Sequence, residues 1–148
     1  MWLTAIVAPI SILVVAACDD GPTQTVQRYC GDIGPSSLIQ LGSPTDPDTC
    51  EPDFSRRTVL VNVNTAVEAI RAPLSLALPG RGAGDVLIYP DQSDEGLSPE
   101  SATLRLDRFV FGEGASGSLT YVEETGGEWT IDFDAAWCDR AAGPPACD

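Results

Sequence analysis

Glu128-Trp129-Thr130-Ile131-Asp132-Phe133-Asp134-Ala135-Ala136-Trp137 is the most informative stretch of the chain. Trp129, Ile131, Phe133, Ala135 and Trp137 fall at every second position, with Thr130, Asp132 and Asp134 between them. Successive side chains of a strand point to opposite faces. The segment therefore predicts a strand with one buried and one wet face, the pattern of antiparallel sheets. Just upstream, Thr125-Gly126-Gly127 is a hairpin signal that joins it to a strand over Ser118 to Glu123. Ala102 to Phe111 predicts a long strand. Its apolar phase slips between Leu106 and Phe109, which places a bulge near Asp107-Arg108. Thr58 to Asn64 alternates, with Val59, Val61 and Val63 on one face. Leu74 to Leu78 and Asp85 to Tyr89 flank Pro79-Gly80-Arg81-Gly82-Ala83-Gly84 and read as strand, Gly-rich turn, strand.

The helix signal is confined to Thr65 to Arg71, where Thr65 and Glu68 have capping-box spacing, and it allows two turns at most. Residues 42–53 contain Pro44, Pro47 and Pro52, which exclude helix and central strand and predict a long polar loop. Short strands with frequent turns predict an all-β fold: a small antiparallel β-sandwich, with a β-barrel as the alternative.

The chain has 148 residues, 22 Asp and Glu, eight basic residues and no His, for a formal net charge of −14. All the basic residues are arginine. The missing histidine excludes imidazole bases, Ser-His-Asp and Cys-His catalysis, and histidine metal ligands. The charge argues against nucleic acid and against anionic lipid headgroups as partners.

Trp2 to Ala17 is almost wholly apolar and shorter than the roughly 20 residues of a spanning helix. It suits the hydrophobic region of a secretory signal, and it ends in Val15-Ala16-Ala17-Cys18, with small residues before a cleavage site. Val15-Ala16-Ala17-Cys18 resembles the lipobox of bacterial lipoproteins. The resemblance covers residues 1–18 and implies that Cys18 becomes the first mature residue, with a diacylglycerol on its sulfur and an acyl chain on its amine. Such signals carry Lys or Arg near the start, and this one has neither. In enterobacteria an Asp after the lipid cysteine resembles an inner-membrane retention signal, and Asp19 holds that place; inner and outer membrane both stay open. The organisation that follows is a signal peptide over 1–17, a lipidated cysteine and short acidic tether over 18–24, and one β-rich domain over 25–148. One domain is what a mature chain of this size supports.

Cys30, Cys50, Cys138 and Cys147 remain, an even number that reads as two disulfides in an exported chain. Cys138 follows a predicted strand and the Gly143-Pro144-Pro145 turn can bring Cys147 back to it, which favours Cys30–Cys50 and Cys138–Cys147. The alternative ties Cys30 or Cys50 to the last strand. Zinc is the rival use of these thiols, but the spacings are wide and CxxC is absent.

The best metal candidate is a Ca²⁺ site of Asp91, Ser93 and Glu95, which alternate along an acidic turn with Gly96 at the sixth place. The twelfth place is Ala102, so the turn is not an EF-hand. Asp46, Asp48, Glu51 and Asp53 form a weaker acidic group. Gly80 to Asp85 resembles a phosphate loop but opens onto a strand rather than a helix. Glu124-Thr125-Gly126 lies at a hairpin tip, and no carboxylate pair stands out for catalysis. Trp129, Phe133 and Trp137 are either a sugar-stacking platform or core. Tyr29 and Tyr89 lie near turns, freer to face a ligand. The expectation is a monomeric, non-catalytic interaction or structural domain, lipid-anchored in the bacterial envelope, periplasmic or surface-facing, and meeting an envelope partner. A Ca²⁺-dependent binding module and a carbohydrate-binding or hydrolytic domain are the alternatives.

Overall fold

The computed structural model of the chain describes residues 21–31, 34–143 and 147. The leader, Cys18 and Asp19 lie outside the described residues. Eight strands follow in chain order: β1 (Gln24–Gly31), β2 (Gly34–Leu41), β3 (Thr58–Val63), β4 (Leu74–Leu78), β5 (Gly84–Tyr89), β6 (Ser101–Val110), β7 (Gly114–Val122) and β8 (Glu128–Trp137). They form one sheet in the order β4-β6-β7-β8-β1-β2-β3-β5. Every neighbouring pair is antiparallel except β1 and β8, which run parallel through Thr25 with Ala136 and Val26 with Trp137. The fold is all-β, as the alternation predicts, and the sheet is open rather than a closed barrel.

The inward side chains of both halves of the sheet meet in a single core. Val59, Val61 and Val63 of β3 join Ile39 and Leu41 of β2, Leu104 and Leu106 of β6, Leu119 and Tyr121 of β7, and Phe133 and Ala135 of β8. Burying such aliphatic side chains contributes about 1.5–3 kcal/mol each against exposure. The long strand carries the expected irregularity: the β6–β7 register shifts between Leu106 and Arg108. Gly117 faces this bulge, and a Cβ there would collide with the Arg105 carbonyl oxygen. The β7–β8 hairpin turns at Gly126, in the left-handed region with φ 89°.

Five features depart from the sequence reading. First, β4 and β5 do not form a hairpin. They are the two outer strands of the sheet, β4 against β6 and β5 against β3. The Gly-rich loop spans the open seam, where Gly80 and Gly84 form an isolated bridge. Both outer edges are blunted in ways that discourage further strand pairing: β4 lies between Pro73 and Pro79, and Ile88 of β5 exchanges two 2.8 Å hydrogen bonds with Leu97.

Second, residues 65–71 make turns, not a helix. Ala69 N–H donates to the Ala66 carbonyl at 2.8 Å, a single three-residue turn. So short a segment cannot offset the cost of helix nucleation. It places Val67 and Ile70 in buried positions instead.

Third, β1 and β2 were not legible as strands. Thr25, Gln27, Ser36, Ser37 and Gln40 are buried polar residues there, so polarity does not report which face is wet. The backbone just before β1 is already held, because the carbonyls of Pro22 and Thr23 accept from Thr45 and Gly42. Fourth, the β1–β8 pair is parallel where an antiparallel sheet was expected.

Fifth, the favoured cysteine pairing is overturned. The bonds are Cys50–Cys138 and Cys30–Cys147, separated by 88 and 117 residues. The alternative in which an early cysteine ties to the last strand holds for Cys50. The reason is topological: β1 lies beside β8, so the start of the domain meets its end. Closing loops this long restricts the unfolded chain by about 4–5 kcal/mol each in the chain-entropy account.

Two measurements check this account. Non-reducing peptide mapping should return Cys50–Cys138 and Cys30–Cys147 and no Cys30–Cys50 peptide. Leu106→Ala, at a fully buried site, should lower unfolding free energy by about 2–5 kcal/mol in urea titration. A smaller loss would place Leu106 outside the tightly packed core.

Candidate functional site

The 42–57 loop reverses at Gly42, in the left-handed region with φ 110°. It folds back across the outer face of β1 and β2, the face turned away from the core. Gln27 and Gln40 stand on that face, and the loop makes them buried. Both side-chain amides donate to the carbonyl of Cys50, at 2.8 Å and 2.6 Å. Cys50 presents that carbonyl from a left-handed conformation, φ 59°. Its sulfur is bonded to Cys138, just past β8. Cys138 N–H extends the strand pairing by donating to the Val26 carbonyl at 2.9 Å, and Ala141 N–H donates to the Asp48 carbonyl at 2.8 Å. Loop, sheet face and C-terminal segment are thus fastened together at Cys50.

Beside this junction lies an open cleft of about 300 Å³. Gln27, Gln40 and Leu38 line it from the sheet, Thr49 to Pro52 from the loop, Tyr29 from the end of β1, and Arg140 from the C-terminal segment. Three of these side chains have unused capacity. The Gln40 carbonyl oxygen Oε1 is buried and has no hydrogen-bond partner among the described residues. A buried acceptor left so costs about 1–3 kcal/mol. Tyr29 is 42% exposed. Arg140 forms no ion pair among the described residues. Its neighbour Arg28 is committed: it pairs with Glu68 at 2.5 Å and lies 4.8 Å above the Phe111 ring.

The polar groups at the far end of the core are paired with one another. Arg57, just before β3, donates to the Tyr121 hydroxyl at 3.2 Å and 3.0 Å and to the Glu123 carboxylate. Its guanidinium lies 4.6 Å from the Trp129 ring centre. Partial burial opposes the Arg57 charge, but the bonds to Tyr121 and Glu123 outweigh it and hold its pKa above the ordinary value. This is a lock across the mouth of the core, joining β3 to β7. The hollow beside it is walled by Ile88, Pro90, Leu97 and Pro99.

The other residues singled out from sequence fall elsewhere. Asp91, Ser93 and Glu95 lie on the surface loop after β5, where the Ser93 hydroxyl accepts from Glu95 N–H at 3.2 Å. No group of three or more His, Cys, Asp or Glu placed to hold a metal occurs among the described residues. In the 42–53 loop, Asp46 accepts from Asp48 and Thr49 N–H, and Asp53 from the Ser55 N–H and hydroxyl. The Ser55 bonds lower the Asp53 pKa. These carboxylates brace the loop. Trp129 is 46% exposed, Trp137 is half-buried and Phe133 is core, so β8 is a core strand with one aromatic end in solvent. Tyr89 packs against Phe54 at 4.8 Å. Glu124-Thr125-Gly126 sits at the β7–β8 turn, where Gly126 N–H donates to the Glu123 carbonyl.

Gln27, Gln40 and Arg140 were missed. Gln40 did leave a signal: it interrupts the apolar run Leu38-Ile39-Gln40-Leu41. A glutamine kept inside such a run has a hydrogen-bonding task.

Arg57→Gln should lower stability by about 1 kcal/mol, the scale of a part-exposed bonded charge. It should also shift Trp129 emission to the red when read in a Trp2→Phe, Trp137→Phe background. An unchanged urea midpoint would show that the lock is not a stabilising element. No family model, no curated protein and no solved structure matches the chain.

Proposed function

We propose that this chain is a lipid-anchored, non-catalytic binding domain of the bacterial cell envelope, with the β1–β2 cleft as its binding surface. The cleft carries the reading. It brings to one place an exposed tyrosine, the glutamine-braced loop and a guanidinium with no ion pair among the described residues. Amides, a phenol and a guanidinium bind and orient; none of them is a ready nucleophile or a base near neutral pH. The two long-range disulfides suit an oxidising compartment outside the cytoplasm. The Val15-Ala16-Ala17-Cys18 motif supplies the export signal and anchor.

The domain would sit close to its membrane. Pro22 and Thr23 are bonded to the 42–45 segment, and the few residues back to Cys18 span at most about 3.6 Å each.

The test is expression of the full chain and of Cys18→Ser in a bacterial host, followed by fractionation and intact mass. The parent chain should partition with membranes, start at Cys18, carry acyl chains and gain about 4 Da on reduction of two disulfides. Cys18→Ser should lose the acyl mass. A parent chain that retains Met1, carries no acyl group and has free thiols would overturn the reading.

A further inference from the structure

We infer that the end of the domain at the β7–β8 turn docks on the bilayer that holds the anchor, with Leu97 and Trp129 entering the interface of a zwitterionic lipid surface; this rests on the lipid-anchored reading above. The tether fixes which end meets the membrane. Pro22 and Thr23 bond to Thr45 and Gly42. Gly42 lies so close to Arg57 that a Cβ there would stand 2.0 Å from the Arg57 carbonyl oxygen. The chain therefore leaves the domain beside Arg57, whose guanidinium closes the mouth of the core on Tyr121 and Glu123. Asp19 and Asp20 alone separate Gly21 from Cys18. Even fully extended, that stretch keeps the acylated cysteine within about 11 Å of Gly21.

Leu97 and Trp129 flank this mouth. Leu97 is 57% exposed and borders the hollow beside the Arg57 lock. Trp129 is half-exposed, with its ring centre 4.6 Å from the Arg57 guanidinium. A tryptophan suits a bilayer interface because it buries an apolar ring and keeps its N–H wet. Tyr29, Val110 and Phe111, the other large exposed apolar residues among those described, sit at the far end. Arg28 covers Phe111 there, and at strand rise it stands about 13 Å beyond Gln24, with β1 leading away from the tether. Two side chains bind a bilayer weakly from solution, but a lipid anchor makes their contact intramolecular, at an effective concentration in about the millimolar range. The gap of about 11 Å that the tether allows is too narrow for a folded partner. Charge selects the lipid. Asp91, Asp94 and Glu95 precede Leu97, Glu124 and Glu128 flank the turn, and all five are exposed. Such a rim repels anionic headgroups and tolerates neutral ones.

The experiment places the acylated Trp137→Phe chain, shown by mass to begin at Cys18 and so to lack Trp2, in phosphatidylcholine vesicles and reads Trp129 emission. Brominated acyl chains should quench it. Leu97→Ser should remove most of that loss, and Val110→Ser, at the far end, should leave it unchanged. Phosphatidylglycerol in place of phosphatidylcholine should reduce the quenching. Trp129 open to acrylamide and untouched by brominated chains would overturn the docking, while the measured acylation keeps the anchored reading standing. Trp129 shielded from acrylamide but not quenched by lipid would assign this end to a second copy of the chain and overturn the bilayer. Stronger quenching in phosphatidylglycerol would overturn the zwitterionic assignment. Quenching lost in Val110→Ser and kept in Leu97→Ser would overturn the orientation. A chain without acyl mass would overturn the anchored reading itself, and the docking with it.

Discussion

Two residue pairs, Thr25 with Ala136 and Val26 with Trp137, join the halves of the sheet. Four of the other six pairings join consecutive strands, β1 with β2, β2 with β3, β6 with β7 and β7 with β8, and the remaining two, β3 with β5 and β4 with β6, skip a single strand. Without the β1–β8 contact the chain would be two antiparallel units, each with an unpaired edge. So short a parallel ladder contributes little by itself. It is reinforced from outside the strands. Cys138 N–H adds a bond to Val26, Asp134 N–H donates to the Gln24 side chain at 2.9 Å, and the Cys50–Cys138 bond closes above it. The same junction supports the cleft, because the loop that forms one wall is anchored at Cys50.

The strands from β3 onward were legible because they follow the simple rule of one face dry and one face wet. Val59, Val61 and Val63 alternate, and all three are core. The phase slip at Asp107-Arg108 is a bulge. β1 and β2 break the rule. The 42–57 loop covers part of their outer face, so Gln27 and Gln40 are buried and bonded to it. Polarity at those positions reports hydrogen bonding to the covering loop rather than exposure to water. That is also why the candidate site was invisible: its floor is made of residues whose character looked like surface. The pairing of the sheet's outer strands was hidden for a different reason. Leu78 and Gly84 are close in sequence, and nothing local announces that their strands belong to opposite edges.

The eight arginines divide evenly between paired and unpaired. Arg28, Arg57, Arg105 and Arg108 each face a carboxylate, at Glu68, Glu123, Asp107 and Glu113. In a chain with this excess of acid, a guanidinium finds a partner easily, and exposed pairs of this kind add little stability. Arg56, Arg71, Arg81 and Arg140 form no ion pair among the described residues, and the Arg71 guanidinium instead donates to the carbonyls of Glu68 and Ile70.

The order in which the cysteines are synthesised differs from the order in which they are joined. Of the four bridging cysteines Cys30 and Cys50 are made first, yet neither bonds to the other, and both wait for partners beyond β8. A chain oxidised as it emerges N-terminus first would meet its wrong partner before its right one. Correct maturation therefore depends on timing: the thiols must stay reduced until β8 has emerged and docked, or an isomerase must undo the early bond. A host that oxidises quickly without shuffling disulfides would accumulate a misbridged form.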